Sequence, residues 1–242
     1  EAFKRLHVII VGMGGVGSWA TEALARAGVG ELTLVDGDTS EESNTNRQCH
    51  ALEGNYGRSK AELMGERVRS INPDCKVHVL FEVLEPEKIA EQLPQADALI
   101  DAIDSLRAKA ALISWGVGEG IFTLTSGGAA GRRDPGKIHV ADIAAVKADP
   151  LISALRRELR GKYGFPQGSS KGRSAKFNVL AAYSTEPLRR LPPEEAAGLP
   201  QGAGLGTVMT VTASMGLRLA SIVLNEAAAV ANEACGSHNH EG

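Results

Sequence analysis

The run Val11-Gly12-Met13-Gly14-Gly15-Val16-Gly17 carries the spacing G-x-G-x-x-G at Gly12, Gly14 and Gly17. Glycines so spaced let a backbone approach phosphate oxygens, and a helix starting there adds N–H donors and positive potential. Asp36 follows at the distance from which an acid can hold a ribose hydroxyl pair. That much is shared by proteins that bind NAD or FAD. The next polar stretch, Asn44-Thr45-Asn46-Arg47-Gln48, and then Lys60, supply amide and cation donors suited to a triphosphate. A dehydrogenase, which holds a pyrophosphate mainly through backbone amides, has less use for them. Asp104 could hold Mg²⁺ through one carboxylate, with ATP phosphates as further ligands. Arg47 and Lys60 would then stabilise the charge that develops as pyrophosphate leaves. The chemistry this set fits is cleavage of ATP between its α- and β-phosphates, with AMP transferred to a carboxylate.

These residues need elements that bring them to one rim. His7–Val11 is a β-rich apolar run ending in glycine and reads as a buried parallel strand. Residues 15–27 read as a helix with Trp19, Ala20, Ala23, Leu24 and Ala27 on one stripe and Gly28 as the stop. Further strands are expected over Glu31–Val35, 76–81, 98–102 and 121–125. Helices are expected over 60–71, 86–92 and 105–115. The first of these opens on Ser59-Lys60-Ala61-Glu62, a capping box, and stops at Asn72-Pro73. The alternation predicts an α/β fold, a Rossmann-like doubly wound, mostly parallel sheet. Asp36 and Asp104 fall at or just past strand ends, on the rim where such sheets bind ligands. After Gly127-Gly128 the pattern loosens. A strand over 138–143, a helix opened by Asp149-Pro150, a loop over 163–175, a return strand at Leu180–Ser184, a Pro/Gly-rich connection over 191–206 and a long final helix are expected. The chain reads as a single domain, a nucleotide-binding half (1–130) and a C-terminal extension (131–242).

Composition narrows the classes. Hydrophobic residues make up 43%, enough for a sizeable core, and the 4% of aromatics argues against stacking platforms for nucleic acid. Cys49, Cys75 and Cys235 form no C-x-x-C pair, which argues against a disulfide framework or a structural zinc and suits a cytoplasmic protein. No signal peptide is visible. The apolar stretch 205–231 is broken by Arg218, Asn225 and Glu226 and reads as a buried or interface helix rather than a membrane span, though loose membrane association through it stays open. The net charge of −3 is uneven: residues 151–190 hold nine Lys/Arg against two acids, so this stretch is +7 and the remainder −10. Such asymmetry marks either a surface for a polyanion or a solvated helix face and loop. Structural readings also stand beside the chemical ones: Asp104 as an N-cap of the helix after it, and Arg47 and Lys60 as surface charges.

The pattern G-x-G-G-x-G, then D-x-D at Asp36 and Asp38, then N-x-x-R-Q, a lysine and a late aspartate resembles the ubiquitin-activating-enzyme superfamily, as a ThiF-type adenylating domain. Asn44-Thr45-Asn46-Arg47-Gln48, Ile71-Asn72-Pro73, Asp101-Ala102-Ile103-Asp104-Ser105, Ser169-Ser170-Lys171-Gly172, Tyr183-Ser184-Thr185-Glu186 and Gly204-Leu205-Gly206-Thr207 resemble one branch of it, the tRNA threonylcarbamoyladenosine dehydratases. The resemblance implies that Gly12, Gly14, Gly15 and Gly17 shape an ATP loop and that Asp36 binds ribose. It implies that Asn44, Arg47, Gln48 and Lys60 contact phosphates and that Asp104 sits with Mg²⁺ at the adenylation centre. The implied reaction activates the threonyl carboxylate as an acyl-adenylate and closes a ring by attack from within the same modification, so that no enzyme nucleophile is needed. A homodimer, a monovalent cation (K⁺ or Na⁺) and an N-terminal arm whose arginine reaches the partner's ATP site belong to the same expectation. The arm does not appear in this sequence, which opens at Glu1. The second half would bind tRNA, through Arg156, Arg157, Lys171, Arg173 and Lys176, and carry the dimer contacts. Cysteine-desulfurase sulfur-transfer proteins are further candidate partners, and no obligate membrane partner is expected. The rivals are an activator of a ubiquitin-like sulfur carrier, disfavoured by the absent zinc motif, an NAD-dependent oxidoreductase, and a non-catalytic nucleotide sensor.

Overall fold

A computed structural model describes residues 1–167, 175–188 and 206–237. Among them a seven-stranded sheet runs in the order β3-β2-β1-β4-β5-β7-β6. The strands are β1 (His7–Val11), β2 (Glu31–Val35), β3 (Lys76–Leu80), β4 (Ala98–Asp101), β5 (Phe122–Ser126), β6 (Ile138–Asp142) and β7 (Leu180–Ser184). All neighbours pair in parallel except β6, which returns antiparallel to β7 in register Ile138↔Ser184. The strands of the second half thus extend the same sheet. The helices are α1 (Ala2–Arg5), α2 (Gly17–Arg26), α3 (Lys60–Ile71), α4 (Ile89–Gln92), α5 (Leu106–Gly118), α6 (Pro150–Lys162) and α7 (Met209–Ser237).

The central strands are apolar at successive positions because both faces are covered. Val8 and Ile10 join the layer of α2, α3 and α7, while Ile9 and Val11 join that of α4 and α5. Each fully buried Leu or Ile of this kind contributes roughly 1.5–3 kcal/mol. Beneath β7 a third cluster, including Ile152, Leu155, Phe177 and Val179, seats α6. α6 begins as its sequence suggests, with Asp149 accepting from Ile152 N at 3.0 Å and Pro150 in the first turn.

Three expectations are modified. The stripe on α2 is wider than the one read from spacing, since Thr21, Glu22 and Ala25 are buried too. α2 is covered on a second side by α7, where a Cβ on Gly216 would lie 2.3 Å from Val16 O. At α3 the Ser59 hydroxyl does accept from Glu62 N (3.3 Å), but no return bond from Glu62 closes the box. A reciprocal capping box forms instead between Glu41 and Asn44. The 86–92 helix shrinks to α4, one turn, and α7 continues helical past Cys235. α7 has the length and apolarity to cross a membrane, yet Val211, Met215, Leu219 and Val223 are buried in the core. The loop over 163–175 and the connection over 191–206 lie largely outside the described residues.

Glu22 shows how the α2–α3 contact is held. Its carboxylate accepts from Arg67 Nη2 at 3.0 Å and Arg26 Nε at 2.8 Å. Burial works against its ionisation, but the bonds from Arg67 and Arg26 outweigh it and hold the carboxyl below the usual range. A depressed folded pKa gives stability that is present above the unfolded value and is lost as pH falls through the folded one. Glu22→Gln should therefore cost about 1–2 kcal/mol near neutrality. Chemical denaturation should show that loss shrinking as the pH falls below the ordinary glutamate range.

Candidate active site

The carboxyl ends of β1, β2, β4 and β5 open into one cleft of about 1130 Å³, lined by glycine-loop, Asp36, Asn44, Arg47, Gln48, Lys60 and Asp104 residues. Pockets for a drug-sized ligand run to about 1,000 Å³, so the space suits a nucleotide and part of a second substrate.

The glycine loop joins β1 to α2. Gly12 has φ +92°, and a Cβ there would meet the Ala102 backbone at 2.9 Å. A Cβ on Gly17 would overlap Gly12 O at 1.8 Å. These two glycines are required by the turn. Gly14 is open toward the cleft, with only the Gln48 amide at 4.0 Å, and Gly15 abuts Thr212 of α7. Met13, between Gly12 and Gly14, is clamped at both ends. Its N–H donates to Asp36 Oδ2 at 2.6 Å, and its carbonyl lies 2.9 Å from His50 Nε2. Burial lowers the His50 pKa, which keeps the ring neutral with Nε2 as the donor. His50 has no motif signal. It is recognisable only once the fold places it behind the loop.

Asp36 follows β2. Burial raises its carboxyl pKa, against the opposing pull of the Asp38 and Met13 amides. Both oxygens already shape the loop, since Oδ1 accepts from Asp38 N at 2.8 Å. Asn44 is buried and caps the short turn Glu42–Asn44 through Oδ1. Arg47 is held at the rim by Nη1 bonds to Ser43 O (2.7 Å) and Asn46 Oδ1 (2.9 Å), and its carbonyl is fixed by Trp19 Nε1. Gln48 is buried with Oε1 unpartnered. Lys60, at the start of α3, is nearly buried, and its Nζ reaches Asp38 Oδ2 at 2.8 Å. The cations are thus gathered in the cleft rather than spread on the surface.

Asp104 lies between β4 and α5, exposed in the cleft and without a hydrogen bond among the described residues. The N-cap of α5 is Ser105, so Asp104 does not cap it. Its loop rests on a buried pair that sequence reasoning missed. Asp101 ends β4 and accepts from Lys109 Nζ at 2.7 Å and Thr125 Oγ1 at 2.6 Å, all within the core. Asp101 Oδ1 also accepts from Ile103 N at 3.3 Å, which bends the chain toward Asp104. A free carboxylate beside open backbone donors and cations fits a Mg²⁺–triphosphate. No cluster of three or more metal-ligating side chains exists among the described residues, so the phosphates would complete the ion's shell.

The basic residues expected to meet a polyanion divide. Arg157 and Lys176 are exposed. Arg156 does a different job: its Nη1 donates to Ile143 O (2.9 Å) and Val146 O (2.5 Å), bracing the loop before α6. Lys171 and Arg173 lie outside the described residues.

Comparison with known proteins places this geometry. Residues 1–224 match the ThiF family. A tRNA threonylcarbamoyladenosine dehydratase from Haemophilus influenzae is 39% identical over 230 residues, 92% of this chain and 86% of that one. The crystal structure of Escherichia coli tRNA N6-threonylcarbamoyladenosine dehydratase, TcdA, in complex with ATP superposes with a TM-score of 0.85 at 42% identity, covering 96% of this chain and 89% of that one. The structure of the same enzyme with AMP gives 0.84 at 43% identity, with the same coverage.

Proposed function

The chain belongs to the ThiF family, and from that premise we propose that it is an ATP-dependent tRNA threonylcarbamoyladenosine dehydratase. The observation that carries this reading is the Asp104 carboxylate, without a partner among the described residues, lining one cleft with the glycine loop, Arg47 and Lys60. ATP would lie with its ribose at Asp36 and its phosphates over Gly14, Asn44, Arg47, Gln48 and Lys60. Lys60 is held in place by Asp38, ready to exchange that partner for a phosphate. The threonyl carboxylate attacks the α-phosphorus, the bond to the bridging oxygen of the β-phosphate breaks, and pyrophosphate leaves. A nitrogen or oxygen of the same modification then attacks the acyl carbon, loses its proton and expels AMP. The lost oxygen departs on AMP, so the nucleoside is lighter by one water.

A carrier-protein activator usually also uses a reactive cysteine. Cys49 and Cys75 do not fit that role: burial pushes each thiol up to about 11, and neither lines the cleft. Apolar Leu217 and Val230 on the exposed side of α7 fit the expected homodimer. The test is AMP release from ATP and Mg²⁺ with tRNA that carries the threonylcarbamoyl modification and with tRNA that lacks it. AMP with modified tRNA alone, and a nucleoside lighter by one water, is the expected result; AMP with neither would reject it.

The exposed Arg157 and Lys176 are read as phosphate contacts. Replacing both with alanine should weaken modified-tRNA binding several-fold and reduce the salt slope of log K by about 1–2, with ATP affinity unchanged. Filter binding across a salt series measures it; an unchanged slope would remove them from the interface.

A further inference from the structure

Behind the cleft wall formed by residues 126–130 lies a polar cluster that the reaction above does not use. Arg132 heads the large side chains that are fully buried. Its Nε donates to Glu186 O at 3.4 Å. Its Nη1 is ion-paired with Asp149 Oδ2 at 3.2 Å but makes no hydrogen bond. Asp149 is fully buried too, and it spends its oxygens on Ile152 N at the start of α6 and on Gly128 N at 3.1 Å.

The glycines here are shaped by that cluster. A Cβ on Gly127 would lie 2.5 Å from Asp149 Oδ2. At Gly128 the nearest atom to a Cβ is Arg132 Nη1, at 3.6 Å. Gly128 lines the cleft, so the guanidinium sits directly beneath the cleft floor. The next two residues, Ala129 and Ala130, also line the cleft, and their amides find no acceptor among the described residues. Two consecutive free amides over a buried, under-satisfied guanidinium make a concavity for an anionic oxygen. It stands at the end of β5, beside the β4 end that carries Asp104.

We propose that segment 128–130, backed by Arg132, is the acyl subsite: it receives the substrate carboxylate and then the carbonyl oxygen of its adenylate. Arg132 is a positioning residue. It orients Asp149, which accepts from the Gly128 amide; those of Ala129 and Ala130, without an acceptor among the described residues, would then be left for the ligand. The inference rests on the proposed function only for the identity of the acyl group.

Binding of two probes to the whole protein tests it: 5′-O-sulfamoyladenosine, and the same molecule acylated on its sulfamoyl nitrogen with N-carbamoylthreonine. The wild type should bind the acylated probe about tenfold more tightly, the usual worth of two amide hydrogen bonds. Arg132→Gln should lose that increment while keeping its affinity for the unacylated probe within about twofold. Ala130→Pro removes one amide donor, changes no side chain of the buried cluster and should lose part of the increment, which covers the case of an Arg132 variant that does not fold. Equal binding of both probes by the wild type overturns the proposal. So does an increment that survives both substitutions, or variants that weaken both probes alike, as a merely structural role would. A wild type that shows the increment yet makes no AMP with modified tRNA rejects the dehydratase reading and leaves the acyl subsite standing.

Discussion

Asp104→Ala is expected to slow AMP formation roughly a thousandfold, or about 4 kcal/mol of transition-state stabilisation. The size follows from where the carboxylate stands. It is an acid at the β4 end of the cleft, beside the glycine loop and without a partner among the described residues, where the α–β bond of ATP would break. Its charge would be available to hold a Mg²⁺ bound with the ATP phosphates. The side chain is exposed and caps nothing. Its removal should leave stability within about 0.5 kcal/mol, since surface changes away from structural features rarely do more. Asp104→Asn keeps the shape and removes the charge, and should be nearly as inactive as alanine. ATP affinity without tRNA should change far less than turnover, because the loop amides, Lys60 and Arg47 remain. The pair of measurements is single-turnover AMP release and equilibrium ATP binding at saturating Mg²⁺. A variant with full turnover would remove Asp104 from the reaction and with it the orientation of ATP argued above.

What could be read in advance depended on how local the cause was. β1, β2, β4 and β5 announce themselves because a strand covered on both faces is apolar at successive positions. Gly12 and Gly17 are required by a turn only six residues long, so their spacing survives as a motif. Asp36 and Asp104 were legible because each follows a strand end, Lys60 because Ser59 signals a helix start, and Arg47 because it sits in the polar stretch 44–48. The sequence is silent where the partner is distant. α2 is buried on a second side by α7 at Gly216, some 200 residues away in the chain, so its stripe looks narrower than its contact. Arg132, in Gly-Arg-Arg-Asp-Pro, has the look of a surface turn, and only the meeting of Asp149 and Glu186 buries it. Arg156 looked like a free cation on a basic helix until the fold brought the Ile143 and Val146 carbonyls to it.

Lys109 is the most instructive of these distant cases, and Lys109→Met is expected to destabilise the protein by about 3–5 kcal/mol. Set in Arg-Ala-Lys-Ala-Ala on α5, the residue reads as solvent-facing, yet it and Asp101 are both fully buried. Burial pushes the Asp101 carboxyl up, and the Lys109 ammonium and Thr125 hydroxyl pull it back. Methionine fills a similar volume but strands a carboxylate in the core, so the cost arises from the uncompensated charge rather than from a cavity. The sign of the pH effect follows. With its folded pKa raised above the unfolded value of about 3.9, Asp101 binds more protons in the native state between the two values. Stability then falls as pH rises through that window, and removing Lys109 widens the window upward. The Lys109→Met deficit should therefore be greatest at neutral and alkaline pH and shrink on acidification. Asp101→Asn in the Lys109→Met background should recover most of the loss, which distinguishes charge burial from packing. The same substitution reaches function through Asp101 Oδ1 and Ile103 N, the bond that turns the chain toward Asp104. Turnover by Lys109→Met at a temperature where it is folded should fall more than its ATP affinity. An undiminished rate would show that Asp104 is placed without the buried pair, and a pH-independent deficit would show that the pair is not charged in the native protein.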